Sequence, residues 1–255
     1  MGPTSTPTDC LDWRGAPVDC TGCRHREWSE AGLCRAGETC VEDRYARRVL
    51  RFFQRHRATA DDYLDHPYFE VRAIAARYAT VFRLVALLED GEPEVRIAAL
   101  LRLPARRCRD LVRDPEPKVR AAVATRLEPP ELVPLIGDRD YMVRSVVAGR
   151  LPPDLLPMMM HDADPEVRRL VAGRIGEDWL AAMAWDGEAR VRLEVAARLA
   201  PAQLAALVGD ADWRVRHAVA QRAPACALLA LAEDEDDDVR AEALRRLQWP
   251  GPKGG

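Results

Sequence analysis

The stretch Asp162-Ala163-Asp164-Pro165-Glu166-Val167-Arg168-Arg169-Leu170-Val171-Ala172-Gly173-Arg174-Ile175-Gly176 decides how this chain folds. Asp164 is a good N-cap, Pro165 suits a first helical position, and Glu166 favours the first turn. Apolar residues at Val167, Val171, Ala172 and Ile175 follow helical spacing and predict a helix of roughly eleven residues. Gly176 ends it. Leu180 and Met183 then stand three residues apart in a second, short segment. That spacing suits either a 3-10 helix or one or two α turns.

The unit repeats. Val-Arg recurs at Val71, Val95, Val119, Val143, Val167, Val191, Val215 and Val239, always 24 residues apart. With Val as position zero, position -5 is Asp in every unit except the first, which has His66. Position -3 is acidic and position +7 is Arg in those same units, Arg102 to Arg246. Position +13 is mostly Leu, with Cys108 in its place once, and +16 is Leu or Met. A 24-residue unit is too short for two full helices with turns, and neither of its segments can bury an apolar side alone. Stacked units can, so the array is expected to be an all-α solenoid with nearest-neighbour contacts. Pro250, Gly251 and Pro252 are expected to stop its last helix.

The repeated charges have a structural reading. Arg at +1 projects into the apolar arc, where an unpaired charge is costly. An Arg-Asp ladder within or between units follows, rather than a row of arginines binding anions. Arg at +7 sits nearer the edge of the arc. It is expected to be a solvated edge and is the better candidate for a partner surface. Met158-Met159-Met160 reads as core filling. Cys108 reads as a buried thiol, and Cys226 has no repeated role.

Five of the seven cysteines fall in the first forty residues: Cys10, Cys20, Cys23, Cys34 and Cys40. Gly15, Gly22, Gly32 and Gly37 lie among them with few aliphatic residues, so the segment needs another source of order. Three chemistries compete: an iron-sulfur cluster on four thiolates, a structural zinc, and a redox dithiol at Cys20 and Cys23. Zinc sites favour two close cysteine pairs and only one is present, while no βαβ pattern surrounds the pair. Cys20, Cys23, Cys34 and Cys40 form the compact set, and Cys10 is the spare. His25 is expected on the surface.

The C-x2-C segment, its end in Cys40-Val41-Glu42-Asp43-Arg44-Tyr45-Ala46-Arg47-Arg48, and the Asp…Val-Arg…Ala-x-Arg-Leu repeats behind it resemble the leucine-rich repeat variant family over essentially the whole chain. The resemblance implies a right-handed superhelix of alternating α and 3-10 helices. It implies a [4Fe-4S] cluster on four of the N-terminal cysteines and no known enzymatic activity. The expected division is residues 1–60 as a cysteine-rich iron-sulfur domain and 61–255 as the repeat array. The first unit departs from the pattern at His66, Tyr68 and Tyr78, as a unit adjoining another domain would.

Residues 41–57 read as one amphipathic helix. Arg44, Arg47, Arg48, Arg51 and Arg55 share one side, and Val41, Tyr45, Val49, Phe52 and Phe53 the other. The arginines are either solvated or dock an acidic partner or nucleic acid; sparse aromatic interleaving disfavours nucleic acid. The chain has 255 residues, 48% of them hydrophobic and 31% charged, with a net charge of -3, so no global field marks a nucleic-acid or membrane binder. Lys118 and Lys253 are its only lysines. No apolar run reaches the roughly 18 residues of a membrane helix. No secretory signal is read in the first residues, Met1-Gly2 with Thr6 is a chance match to a myristoylation pattern, and the expected compartment is the cytoplasm. No nucleophile motif, phosphate loop or HExxH occurs, so no enzyme is expected. The first functional reading is a redox-responsive protein-protein interaction module with a protein partner. The alternatives are an electron-transfer protein and a structural cluster (or zinc) that staples a binding scaffold.

Overall fold

The computed structural model describes residues 10–248. The Met1-Gly2 pattern and the Pro250–Pro252 stop lie outside them. Among the described residues there are helices and isolated β-bridges but no strand. Each repeat opens with an α-helix: α3 Phe69–Ala76, α4 Pro93–Leu100, α5 Pro117–Ala124, α6 Tyr141–Arg150, α7 Pro165–Ala172, α9 Ala189–Arg198, α10 Trp213–Arg222 and α12 Asp237–Gln248. α8 (Glu177–Leu180) and α11 (Ala225–Leu231) belong to second segments. The repeat helices run from 8 to 12 residues, and most are shorter than the spacing predicts. They stop early because the chain must turn for the second segment after about two turns.

The second segments answer the question the spacing left open. They are 3-10 at Val81–Glu89, Arg109–Arg113, Pro129–Leu135, Pro153–Met159, Ala181–Trp185 and Pro201–Leu207. Pro134 and Pro157 sit inside two of these. A proline donates no backbone hydrogen bond, which a longer α-helix would need there. The last second segment, α11 in the unit of Val215, has no internal proline and is α-helical.

The chain divides into two compact units between Leu127 and Glu128. In both, the Val at position zero has no exposed surface, and Leu84, Leu132, Leu156, Leu180 and Leu204 at +13 are likewise fully buried. Cys108 fills the same layer as a buried thiol whose Sγ lies 3.8 Å from the Leu100 and Pro104 carbonyls. Met159 and Met160 are buried, but Met158 points outward, so only part of that run fills the core.

The Arg-Asp ladder runs between units. In the first compact unit Arg96 Nε and Nη2 donate to both carboxylate oxygens of Asp114 at 2.7 Å each. Arg72 does the same to Asp90 at 2.8 Å. In the second, Arg144, Arg168, Arg192 and Arg216 grip Asp162, Asp186, Asp210 and Asp234. Each arginine uses its third donor on the carbonyl of its own unit's -5 residue, as Arg144 Nη1 does to Asp138 O at 2.8 Å. Each Asp in turn accepts the backbone N–H two residues on. One planar, five-donor guanidinium therefore ties a helix to its own entry turn and to the next unit's. Burial pushes the Asp162 carboxyl up, but the Arg144 hydrogen bonds and the Asp164 N–H outweigh it and hold it below its usual range.

The +7 arginines correct the expectation of an exposed edge. Arg198 Nη1 and Nη2 donate to the carbonyls of Ala172 and Ile175 in the preceding unit, at 2.5 and 2.8 Å. Arg102, Arg126, Arg174, Arg222 and Arg246 make the same kind of bond. The last carbonyls of a helix have no intrahelical donor. The +7 guanidinium supplies one from the neighbouring unit and is half-buried in doing so.

Candidate metal centre

The N-terminal segment is built from turns. Asp12 and Val18 donate backbone N–H groups to Ala16 O and Cys10 O, closing a loop around Gly15 at φ +85°. Asp12 Oδ1 accepts the N–H groups of Arg14 and Ala16 at 2.9 Å, fixing that loop. Bridges pair Asp12 with Asp43 and Arg35 with Thr39. The short helix α1, Arg26–Glu30, separates Cys23 from Cys34. Gly37, at φ +80°, turns the chain back towards Cys40.

This path brings Cys20 and Cys23 within electrostatic range of both Cys34 and Cys40. Charge repulsion from Cys20 and Cys23 acts on both Cys34 and Cys40. Cys20, Cys23 and Cys34 are half-buried, and Cys40 is buried. Desolvation is the main cause that raises the Cys23 and Cys34 thiols and pushes Cys40 up to about 12. Backbone groups are aimed at the sulfurs. His25 N–H lies 3.4 Å from Cys23 Sγ, and the Glu42 N–H bonds Cys40. Cys10 is buried at the edge of the Gly15 loop, where its carbonyl accepts the Val18 N–H. Among the described residues no three His, Cys, Asp or Glu side chains converge as they would on a single metal ion.

The donor set fits an iron-sulfur cluster. Cys23, Cys34 and Cys40 are desolvated and coupled to Cys20, and a positive centre of the kind cluster iron would supply stabilises such sulfurs as thiolates. N–H groups directed at cysteine sulfur are one of the protein's means of tuning such a centre.

His25 corrects the expectation of a surface residue. It is buried, its ring stacks on Trp28 at 4.4 Å and packs against Phe52 at 5.1 Å, and its Nε2 hydrogen-bonds the Tyr63 hydroxyl. Desolvation, then the Arg24 and His56 charges, lower its pKa and favour the neutral ring. Cys34 Sγ lies 3.9 Å from His25 O. One residue thus touches two of the thiol-bearing segments through its backbone and the start of the array through its ring. Trp28, Tyr63 and Glu42 were not singled out from the sequence. Isolated aromatics carry no spacing signal, and their partners lie far along the chain.

The departures in the first repeat are explained by this domain. His66 stands where the other units have Asp. Its Nδ1 accepts the Tyr68 N–H at 3.1 Å, the bond the Asp side chain makes elsewhere. Its Nε2 faces Glu42 at 3.5 Å in place of a preceding repeat's arginine. Tyr68 stacks on Trp13 with ring planes 10° apart and donates its hydroxyl to Arg44 O, while Tyr78 stacks on Phe53.

The basic segment is shorter than the expected helix over 41–57. Helix α2 spans Ala46–Arg55, and residues 41–45 form a bent entry that holds the Asp12–Asp43 bridge. Val49, Phe52 and Phe53 are buried as expected. Tyr45 is not on that side: it is exposed, between the guanidinium groups of Arg44 and Arg48 at 4.9 and 4.7 Å from its ring. Arg48 also pairs with the buried Asp43 at 3.0 Å. Two of the five arginines are therefore structural, and three, Arg47, Arg51 and Arg55, remain exposed.

Comparison with known proteins agrees with this architecture. A family model described as the LRV protein FeS4 cluster matches residues 10–62, and one described as leucine rich repeat variant matches residues 213–236. The first of these favours iron-sulfur over zinc. A Rhodobacter capsulatus protein named as an uncharacterized 27.7 kDa protein in the nifB 3′ region is 52% identical over 95 residues, which span 37% of this chain and 39% of that relative's length. A solved structure described as a leucine-rich repeat variant with a novel repetitive protein structural motif superposes with a TM-score of 0.85 at 39% identity, covering 90% of this chain and 99% of that one. No helix among the described residues is long and apolar enough to cross a membrane. By its repeats, its cysteine domain and that full-length likeness, the chain belongs to the leucine-rich repeat variant family, iron-sulfur domain included.

Proposed function

We propose that this protein is a redox-responsive protein-protein interaction module, with the cluster held by Cys20, Cys23, Cys34 and Cys40. The observation that carries the reading is the position of His25. Its backbone contacts Cys23 and Cys34, and its ring bonds Tyr63 at the entry to the array. A change of charge or loss of the group at those cysteines would reach the array's first helices directly through that residue. The cluster supplies a reversible one-electron change; the chain supplies the sulfurs, their N–H donors and the packed path to the scaffold. The repeats supply an extended surface for a protein partner, as solenoids do. No catalysis is assigned to it, and the compartment proposed is the cytoplasm, where crowded thiols stay reduced.

The half-exposure of Cys20, Cys23 and Cys34 favours electron transfer as the second reading, because a carrier must approach the centre. Amide hydrogen exchange of the purified protein in oxidised, reduced and cluster-free forms tests the first. Changed protection in Ala46–Arg55 and Arg57–Tyr63 between the oxidised and reduced forms supports it. Identical protection in those two forms would sink it and leave electron transfer or a structural staple.

A further inference from the structure

Helix α2 reads Ala46-Arg47-Arg48-Val49-Leu50-Arg51-Phe52-Phe53-Gln54-Arg55 and contains no acidic residue. Arg47, Arg51 and Arg55 are exposed and four residues apart, so they form one strip about 12 Å long. Arg47 and Arg55 meet no carboxylate among the described residues, and Arg51 bonds only the Glu38 carbonyl, at 3.3 Å. This departs from the repeated arginines, whose ladder members are bidentate to aspartate and whose +7 members cap carbonyls. Like charges four apart on a helix destabilise it, so three in a row with no compensation cost stability in the free protein.

We propose that this strip is the docking surface for an acidic protein partner. This rests on the reading of the chain as a redox-responsive module. Complementary carboxylates would relieve the repulsion along α2 and steer the encounter. Nucleic acid fits less well. Phe52 and Phe53 are buried, and Tyr45 is flanked by Arg44 and Arg48, so the strip offers no open ring on which a base could stack. The strip also adjoins the cysteines. Phe52, on the other side of the same helix, packs on His25, and Glu38, which Arg51 touches, lies two residues before Cys40. A cluster held by those cysteines would, when reduced, carry one more negative charge on the cysteine side of α2. That charge would weaken the arginines' hold on carboxylates by about two- to tenfold, depending on salt.

The test uses the anaerobically purified full-length protein. The probe is a labelled helical peptide with Glu at every fourth position, set beside a Gln-for-Glu control peptide and a 20-base-pair DNA duplex. Binding of the Glu peptide that weakens as salt rises, is lost in Arg47→Gln/Arg51→Gln/Arg55→Gln, and persists in the exposed-arginine control Arg106→Gln/Arg190→Gln is the expected result. The triple variant should melt at or above the wild-type temperature, since it removes repulsion and no contact of the core. Equal binding by the triple variant, or strip-dependent binding of the duplex in preference to the peptide, overturns the proposal. Strip-dependent peptide binding that ignores the cluster's oxidation state would instead refute the redox-responsive reading while the docking surface stands.

Discussion

Replacing Arg144 by Ala removes a whole rung of the inter-unit ladder. Arg144 Nε and Nη2 bond both Asp162 oxygens at 2.7 and 2.9 Å, and Nη1 bonds Asp138 O at 2.8 Å. The Asp162 side chain is only 6% exposed, so in the variant its carboxylate stays dehydrated with little beyond the Asp164 N–H to hold it. Removing one member of a buried pair costs about 3–5 kcal/mol, and the surviving N–H places this case near 3. For a chain of this size that lowers Tm by about 6–12 °C. Calorimetry or denaturant unfolding of Arg144→Ala, Asp162→Ala and the double variant reads it as a cycle. The double variant should be less damaged than the sum of the singles by about 2 kcal/mol, because neither charge is then left alone. The exposed inter-repeat pair of Lys118 and Glu94 is the internal control and should yield a small fraction of that coupling. Arg144→Ala melting within about 2 °C of wild type, or additive singles, would refute the claim that the ladder binds unit to unit.

Arg198→Ala should cost about 1–3 kcal/mol, because two carbonyls of the preceding unit lose their donor; an unchanged denaturation midpoint would mean that water replaces it freely. Tyr63→Phe leaves buried His25 without its partner and should destabilise the N-terminal domain by about 1–3 kcal/mol and speed the loss of iron to a chelator; unchanged iron release would detach His25 from the account. Acid should weaken the array. Asp90, Asp162, Asp186 and Asp210 are driven up by burial and, more strongly in sum, held down by arginine and backbone bonds, and Asp234 is held down chiefly by Arg216. Their stabilisation is complete above the unfolded value of about 4 and is lost as pH falls through the lowered folded values. Unfolding midpoints should be level from pH 7 to about 5 and drop below about 4, and a midpoint rising on acidification would contradict that sign.

The array was legible in the sequence because a period of 24 residues repeats every interaction. The same Arg and Asp recur where helical geometry makes one buried and the other its partner, so the ladder follows from pattern and electrostatics. The +7 arginines were legible as a row but not in role, since their acceptors are backbone carbonyls, which leave no mark in the residue type. The iron-sulfur segment was legible from its cysteine composition and spacing. Its surroundings were not: His25, Trp28, Phe52 and Tyr63 meet across nearly 40 residues of sequence. Helix α2 was drawn too long because Val41 and Tyr45 keep helical spacing. That entry is instead bent around the Asp12–Asp43 bridge.

Iron and sulfide analysis of anaerobically purified protein, with optical and EPR spectra before and after dithionite, tests the account at its centre, alongside single Ser variants of the five N-terminal cysteines. The account predicts about four irons and four sulfides per chain and a reducible signal. It predicts that Cys20→Ser, Cys23→Ser, Cys34→Ser and Cys40→Ser lose or alter the cluster while Cys10→Ser retains it. One zinc with no sulfide, or a cluster lost with Cys10→Ser and kept with one of the other four, would contradict it.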